Sequence, residues 1–160
     1  MPITIVSQMP NLDRATVITA SGFVRPVSDT LRKDVADHLR DGEFVYSIQD
    51  NEHEIGFAIF RMFGDALYLT GIQLHQDYQG RGIAQRVVAQ ARREHRPRYL
   101  ALRTQSLRMW VAGRKMMGPI ARVLPMWYPH PSGVTEPEVE TVRRQLATQL
   151  GMTAPDEPGF

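Results

Sequence analysis

The sequence predicts an α+β fold, an α/β sandwich in which a mixed, mostly antiparallel central sheet is flanked by helices and followed by a helical C-terminus. Three observations lead there. Residues 43–75 hold three strand-like segments joined by short turns, the order of an antiparallel meander. Two segments with apolar residues at helical spacing lie before and after that meander. A fourth strand-like segment, YLALRT, follows the second of those helices and makes the sheet mixed.

Taken in order, ITIV at residues 3–6 is a short strand, and Asn11 caps a helix or turn through LDRATVITA. Ser28 or Asp29 caps the next helix, TLRKDVADHLRDG, where Leu31, Val35 and Leu39 recur at helical spacing and Gly42 supplies the stop. EFVYSI, a QDNEHE turn and EIGFAIFRMF form a hairpin, and Gly64-Asp65 leads into ALYLTGIQLH as the third strand. A helix beginning near Gly82 places Ile83, Val87 and Ala91 on one stripe, with Ala84 and Val88 beside it, and Pro97 ends it. After the strand YLALRT, LRMWVAGRKMMG is a helix stopped by Gly118 and Pro119. Residues 119–137 hold 5 of the 11 prolines and are mostly loop, with one short strand at ARVL. Val139, Val142, Leu146 and Leu150 then mark an amphipathic helix, and residues 153–160 form a flexible tail.

No repeat and no second domain is visible, so residues 1–160 are read as one domain. A chain of this length buries about 70% of its unfolded surface and needs neither disulfide nor metal to hold a core. The absence of cysteine excludes thiolate chemistry and cysteine zinc clusters. His38, His53, His75, His95 and His130 show no ligand spacing, so no metal is expected. With no signal-peptide pattern at MPITIVSQMP and no apolar run approaching about 18 residues, the expected setting is cytoplasmic, with no membrane partner.

The net charge of +2 conceals a strong asymmetry. Residues 1–79 carry 6 basic and 11 acidic side chains, residues 80–115 carry 10 and 1, and residues 116–160 carry 3 and 5. The middle block is therefore +9, a candidate anion site if it is more than a solvated helix face.

That block starts inside the most informative stretch, GIQLHQDYQGRGIAQRVVAQA, where a strand delivers the chain to a polar turn containing Gly80 and Gly82 and a helix opens at once. The first turn of a helix has unpaired N–H groups and the positive end of the macrodipole, and flanking glycines let phosphate oxygens come close. A diphosphate is the ligand this chemistry fits. Gly80-Arg81-Gly82-Ile83-Ala84-Gln85 lacks the third glycine of a dinucleotide fingerprint and follows an antiparallel meander, and no Walker lysine is present.

Here the chain resembles the GNAT superfamily of N-acetyltransferases, whose acyl-CoA loop has Gln or Arg, two variable residues, Gly, one variable residue, then Gly or Ala. Gln79-Gly80-Arg81-Gly82-Ile83-Ala84 fits every fixed position, and the strand ALYLTGIQL, the Asp77-Tyr78 pair and the following helix extend the match over residues 28–118. The resemblance implies that backbone N–H groups from Gln79 through Ala84 cradle the pyrophosphate of acetyl-CoA, with Arg81 as the direct helper. It also implies a bulge near Leu74 that frees backbone groups for the pantetheine arm and the thioester carbonyl. A primary amine, on a small molecule or a peptide, then attacks the thioester directly and CoA leaves as the cosubstrate's thiol.

The chain departs from the family at its helpers. Where some members carry an acidic base the position falls on Tyr68, and the tyrosine that protonates the leaving thiolate falls on Gly113. Ser106 stands where many members use Asn against the pantetheine. Tyr68, His75, Ser106 and Tyr128 are the candidate substitutes, with Tyr68 and Ser106 carried as the catalytic pair. Only 42 residues follow Gly118, without the two strands that usually close the sheet. The acceptor site is then open, truncated, or completed by a second copy in a homodimer, with Trp110, Trp127, Met116 and Met117 as candidate lining.

Two other classes compete. A catalytically idle acyl-CoA-binding module accounts equally for the loop and better for the missing helpers. A nucleic-acid-binding domain would align the arginines of residues 81–115 on one face with interleaved aromatics; they are instead spread over two helices and a strand, with only Tyr99 and Trp110 among them.

Overall fold

The fold is that of a computed structural model, which describes residues 2–23, 26–102, 126–127, 141, 144, 145 and 148. The chain packs as two units, the first comprising Met1–Arg61 with Thr70–Gln90 and the second Met62–Leu69 with Ala91–Phe160. Strand order follows chain order, and a mostly antiparallel mixed sheet with helices is the observed class.

In the first unit, β1 (Ile3–Val6) lies antiparallel to β2 (Phe44–Asp50), pairing Ile3 with Asp50 and Val6 with Ser47. Helix α1 (Leu12–Phe23) starts where expected, because the Asn11 carboxamide oxygen accepts the Arg14 N–H at 2.9 Å. It is longer than LDRATVITA. Its buried Thr16 and Thr19 hydroxyls are satisfied by the carbonyls of Leu12 and Ala15, so threonine on the core face leaves no orphaned group. Helix α2 (Asp29–Arg40) is capped by Ser28, whose hydroxyl accepts the Leu31 N–H, and buries Leu31, Val35 and Leu39. These pack with Ala15 and Ile18 of α1 and with Phe57 and Ile59. Each such burial contributes about 1.5–3 kcal/mol.

Gly42 acts differently from the helix stop expected of it. The cap at the end of α2 is Asp41 in ordinary right-handed geometry, and a β-carbon on Gly42 would lie 2.5 Å from Ile59 Cγ2. The residue is glycine for close approach.

β2 turns into β3 (His53–Phe63) through only Asn51 and Glu52, both at positive φ, 49° and 70°, as a two-residue hairpin of the primed type requires. The hairpin carries one irregularity: Ile48 faces Gly56 while Gln49 faces Glu54, so Ile55 is an extra residue on β3. Tyr46 and Phe60 meet edge to face at 5.7 Å in the core beyond it. The first unit also holds the distal part of β4 (Ala66–Leu74), a single 3₁₀ turn at Gln76–Tyr78, and most of α3 (Ile83–His95), whose Ile83, Val87 and Val88 are buried.

In the second unit the start of β4 runs parallel to β5 (Tyr99–Leu102), pairing Ala66 with Tyr99 and Leu69 with Leu102. A parallel pair needs a crossover, which the turn and α3 supply. The Asp65 carbonyl takes the N–H groups of Arg98 and Tyr99 and fixes that register. β6 (Met126–Trp127) then pairs antiparallel with β5. Residues 119–137 were expected to be mostly loop with one short strand at 121–124 and without the strands that close the sheet after Gly118. The described strand lies at 126–127 and does join the sheet, because a two-residue strand carries no periodicity of its own and is set by its partner. The expected strand at 121–124, the helix at 107–118 and the tail lie outside the described residues. Thr141, Arg144, Gln145 and Thr148 are helical and exposed, at the spacing of one helix face, within the expected C-terminal helix.

Candidate functional site

The end of β4 and the lead-in to α3 are built as a braced turn. The His75 N–H donates to the Ile55 carbonyl at 2.8 Å, tying the turn to the extra residue of β3. His75 Nδ1 accepts the Asp77 N–H at 3.2 Å and caps the 3₁₀ turn, so the ring proton sits on Nε2 in that arrangement. This gives His75 a structural task at the position where it was a candidate helper. Gln79 is held twice, its N–H toward the Gln76 carbonyl at 3.4 Å and its side-chain amide on the Leu74 carbonyl at 3.2 Å.

Helix α1 braces the same turn from its last residues. The Ser21 hydroxyl accepts the Gln76 N–H at 3.3 Å, and a β-carbon on Gly22 would stand 3.3 Å from Gln73 Oε1 and 3.6 Å from the Leu74 carbonyl oxygen. On the other side, Gly56 allows β3 to approach so closely that a β-carbon there would lie 2.6 Å from both the Gln73 carbonyl oxygen and Leu74 Cδ2.

Past Gln79 the backbone opens. Gly80 and Gly82 have φ of 77° and 75°, and a β-carbon on either would meet nothing within 4 Å among the described residues. The first helical bond in this region runs from the Arg86 N–H to the Gly82 carbonyl. Among the described residues, the six N–H groups from Gly80 through Gln85 therefore have no acceptor. They are consecutive, they lie at the positive end of α3, and the glycines leave the space before them clear. The free donors begin one residue later than the Gln79–Ala84 run expected from the sequence and include Gln85. Ile83 is buried, which anchors the first turn of the helix, and Ala84 is half-buried beside it.

Two side chains frame the donors. The Tyr78 hydroxyl donates to Asp50 Oδ2 at 2.7 Å, and the Arg81 guanidinium carbon stands 5.2 Å from the centre of the Tyr78 ring. The bond to Asp50 holds the Tyr78 hydroxyl above the usual phenol range, because its proton is shared with a carboxylate. Asp50 was not identified from the sequence. It lies 28 positions before Tyr78, and no local pattern connects a strand end to a distant turn.

The remaining candidates fall elsewhere. Tyr68 is in the second unit, almost buried, with its ring edge-on to Phe63 at 6.1 Å. Ser106, Trp110, Met116, Met117 and Tyr128 lie outside the described residues, and of Trp127 only its place in β6 is described. Of the +9 block, Arg86 bonds the Ile3 carbonyl at 3.1 Å. Among the described residues no three His, Asp or Glu side chains gather as a metal site, and no helix is long and apolar enough to cross a membrane.

The arrangement is suited to a ligand with a diphosphate. A sequence model of the Acetyltransferase (GNAT) family matches residues 13–111. No curated protein matches the chain. Among solved structures it is similar to the ribosomal-protein-S18-alanine N-acetyltransferase of Escherichia coli, at 22% identity over 72% of this chain and 76% of that one, with a TM-score of 0.58. It is also similar to a GNAT family acetyltransferase from Brucella melitensis in complex with acetyl-CoA, at 16% identity over 82% and 90% with a TM-score of 0.60. A third is the PaiA N-acetyltransferase of Thermoplasma acidophilum in complex with coenzyme A, at 12% identity over 80% and 99% with a TM-score of 0.59. At these identities the likeness is one of fold.

Proposed function

The chain belongs to the GNAT acetyltransferase family, and on that premise we propose that it transfers an acetyl group from acetyl-CoA to a primary amine on a small molecule or a peptide. The observation that carries this reading is the run of six N–H groups at residues 80–85 that have no acceptor among the described residues, with no described atom within 4 Å of a β-carbon built on either glycine. Phosphate oxygens of the cosubstrate accept from these donors, and the α3 dipole and Arg81 add attraction for the negative charge. The backbone at Leu74 aligns the pantetheine arm.

In the reaction the amine nitrogen attacks the thioester carbonyl carbon. A C–N bond forms, the C–S bond breaks, CoA leaves as thiolate, and the proton shed by the nitrogen passes to that thiolate or to solvent. A thiol with a pKa near 8.5 leaves without a dedicated acid, so positioning alone sustains a low-demand transfer. Tyr68 and Ser106 are the side chains proposed to assist.

A second reading, a catalytically idle acyl-CoA-binding module, is favoured by one specific observation: β4 carries no acidic side chain, and Tyr68 at the base position packs against Phe63. Free-thiol release from acetyl-CoA with a panel of amines decides between them. Release accelerated by an amine supports the transferase, whereas CoA binding without any accelerated release supports the idle module. Failure of the protein to bind CoA, or unchanged affinity in Gly80→Val/Gly82→Val, overturns both.

A further inference from the structure

Asp50 closes β2, where a residue of the opposite hairpin end would ordinarily be a matter of solubility. Its position is not ordinary. One carboxylate oxygen accepts the Tyr78 hydroxyl at 2.7 Å, while the other, Oδ1, is buried with no hydrogen-bond partner among the described residues. A half-satisfied buried carboxylate costs stability, so the fold alone gives no reason for an acid here. What the acid does is act on Tyr78. A hydroxyl donating to a carboxylate enriches the ring in electron density, and that ring carries the Arg81 guanidinium at 5.2 Å. Arg81 is itself exposed and sits within the run of free N–H groups, next to both positive-φ glycines. Left to itself such a side chain samples many rotamers; stacked on a fixed ring it samples few.

We propose that Asp50 is a positioning residue: acting through Tyr78, it holds the Arg81 guanidinium beside the N–H groups of residues 80–85, where the guanidinium meets the diphosphate of acetyl-CoA. This rests on the acetyl-CoA reading of the loop. Asp50 touches no reacting atom, and its effect is on affinity for the charged half of the cosubstrate. The ring of Tyr78 is the element through which it works, so removing the hydroxyl, the ring or the carboxylate weakens the same interaction.

The test is a double-mutant cycle on CoA affinity measured by calorimetry, with Asp50→Ala, Asp50→Asn, Arg81→Ala and Asp50→Ala/Arg81→Ala, each checked for an unchanged circular-dichroism spectrum. Each alanine variant is expected to bind CoA about 5–10-fold more weakly, and the double variant no more weakly than Arg81→Ala alone. Asp50→Asn keeps an acceptor oxygen for the Tyr78 hydroxyl and is expected to recover part of the loss. Binding of S-acetylpantetheine, which lacks the diphosphate, is expected to stay within about 2-fold in every variant, which a merely structural role would not allow. Additive losses in the double variant, or equal losses for CoA and S-acetylpantetheine, overturn the proposal. Wild-type protein that does not bind CoA overturns the acetyl-CoA reading itself, whereas wild-type affinity in the Asp50 variants overturns the positioning role alone.

Discussion

A β-carbon on Gly56 would lie 2.6 Å from the carbonyl oxygen of Gln73, so β3 and the end of β4 are in contact at a distance only glycine permits. Gly56 follows the extra residue Ile55, and Gln73 precedes the braced turn, so this contact sets where the turn begins. Gly56→Ala is expected to destabilise the protein by about 1–3 kcal/mol through overpacking against backbone. The thermal midpoint should fall by roughly 2–4 °C for each kcal/mol. CoA affinity, measured on the folded fraction, should fall as well, because the turn can relieve the clash only by moving.

Gly82 poses the opposite problem. Its β-carbon would meet no described residue, but its φ is 75°, so Gly82→Ala is expected to cost about 1–2 kcal/mol in backbone strain with no packing clash against the described residues. The methyl group also enters the space in front of the free donors. Calorimetry should find CoA binding weakened by about 10-fold or more, beyond what the stability loss explains. Affinity equal to wild type would separate the glycine's backbone task from any ligand.

Tyr78 gives a pH dependence whose sign is fixed. Its folded-state pKa is raised above the ordinary 10.0, chiefly by the hydrogen bond to Asp50. The contribution of that bond is fully present below pH 10 and is lost as pH rises through the raised value. Wild type should therefore be more stable than Tyr78→Phe by a constant margin from pH 7 to 9. In thermal scans the two curves should converge above pH 10, and a gap that persists or widens there would contradict the assignment.

Glu54 binds both ends of a longer connection. Its Oε1 accepts the Asn11 N–H at 2.9 Å and its Oε2 accepts the hydroxyl of Ser47, a residue with no exposure at all. Glu54→Ala is expected to destabilise by about 1–3 kcal/mol, since it leaves the buried hydroxyl with a poorer partner. Urea unfolding checks this, and Ser47→Ala in the same background should recover part of the loss because the orphaned group is removed with it.

What the sequence discloses here is what is local. Asn11 and Ser28 were legible as caps because a capping side chain serves a backbone group two or three residues on. The glycine turn into α3 was legible because Gly80, Gly82 and the helix adjoin. Gly42 was misread: a glycine after a helix has two explanations, a left-handed cap and a close approach, and only the position of Ile59 separates them. The Asn51–Glu52 turn was drawn too wide, because neither residue is glycine and both nonetheless take positive φ. Asp50 and Ser21 could not be found, since each reaches the turn across a separation of many residues that leaves no periodic trace.

The side chains of Arg86 and Gln90 donate to the carbonyls of Ile3 and Ile5, alternate residues of the first strand in the sheet order. An outermost strand with bare carbonyls is a template on which another chain can polymerise, and helix α3 occupies these two in advance. A second molecule adding its own strand at that margin would first have to dislodge both side chains. The helix that begins at the free N–H groups thus also fills two hydrogen-bonding positions that edge-to-edge pairing would need.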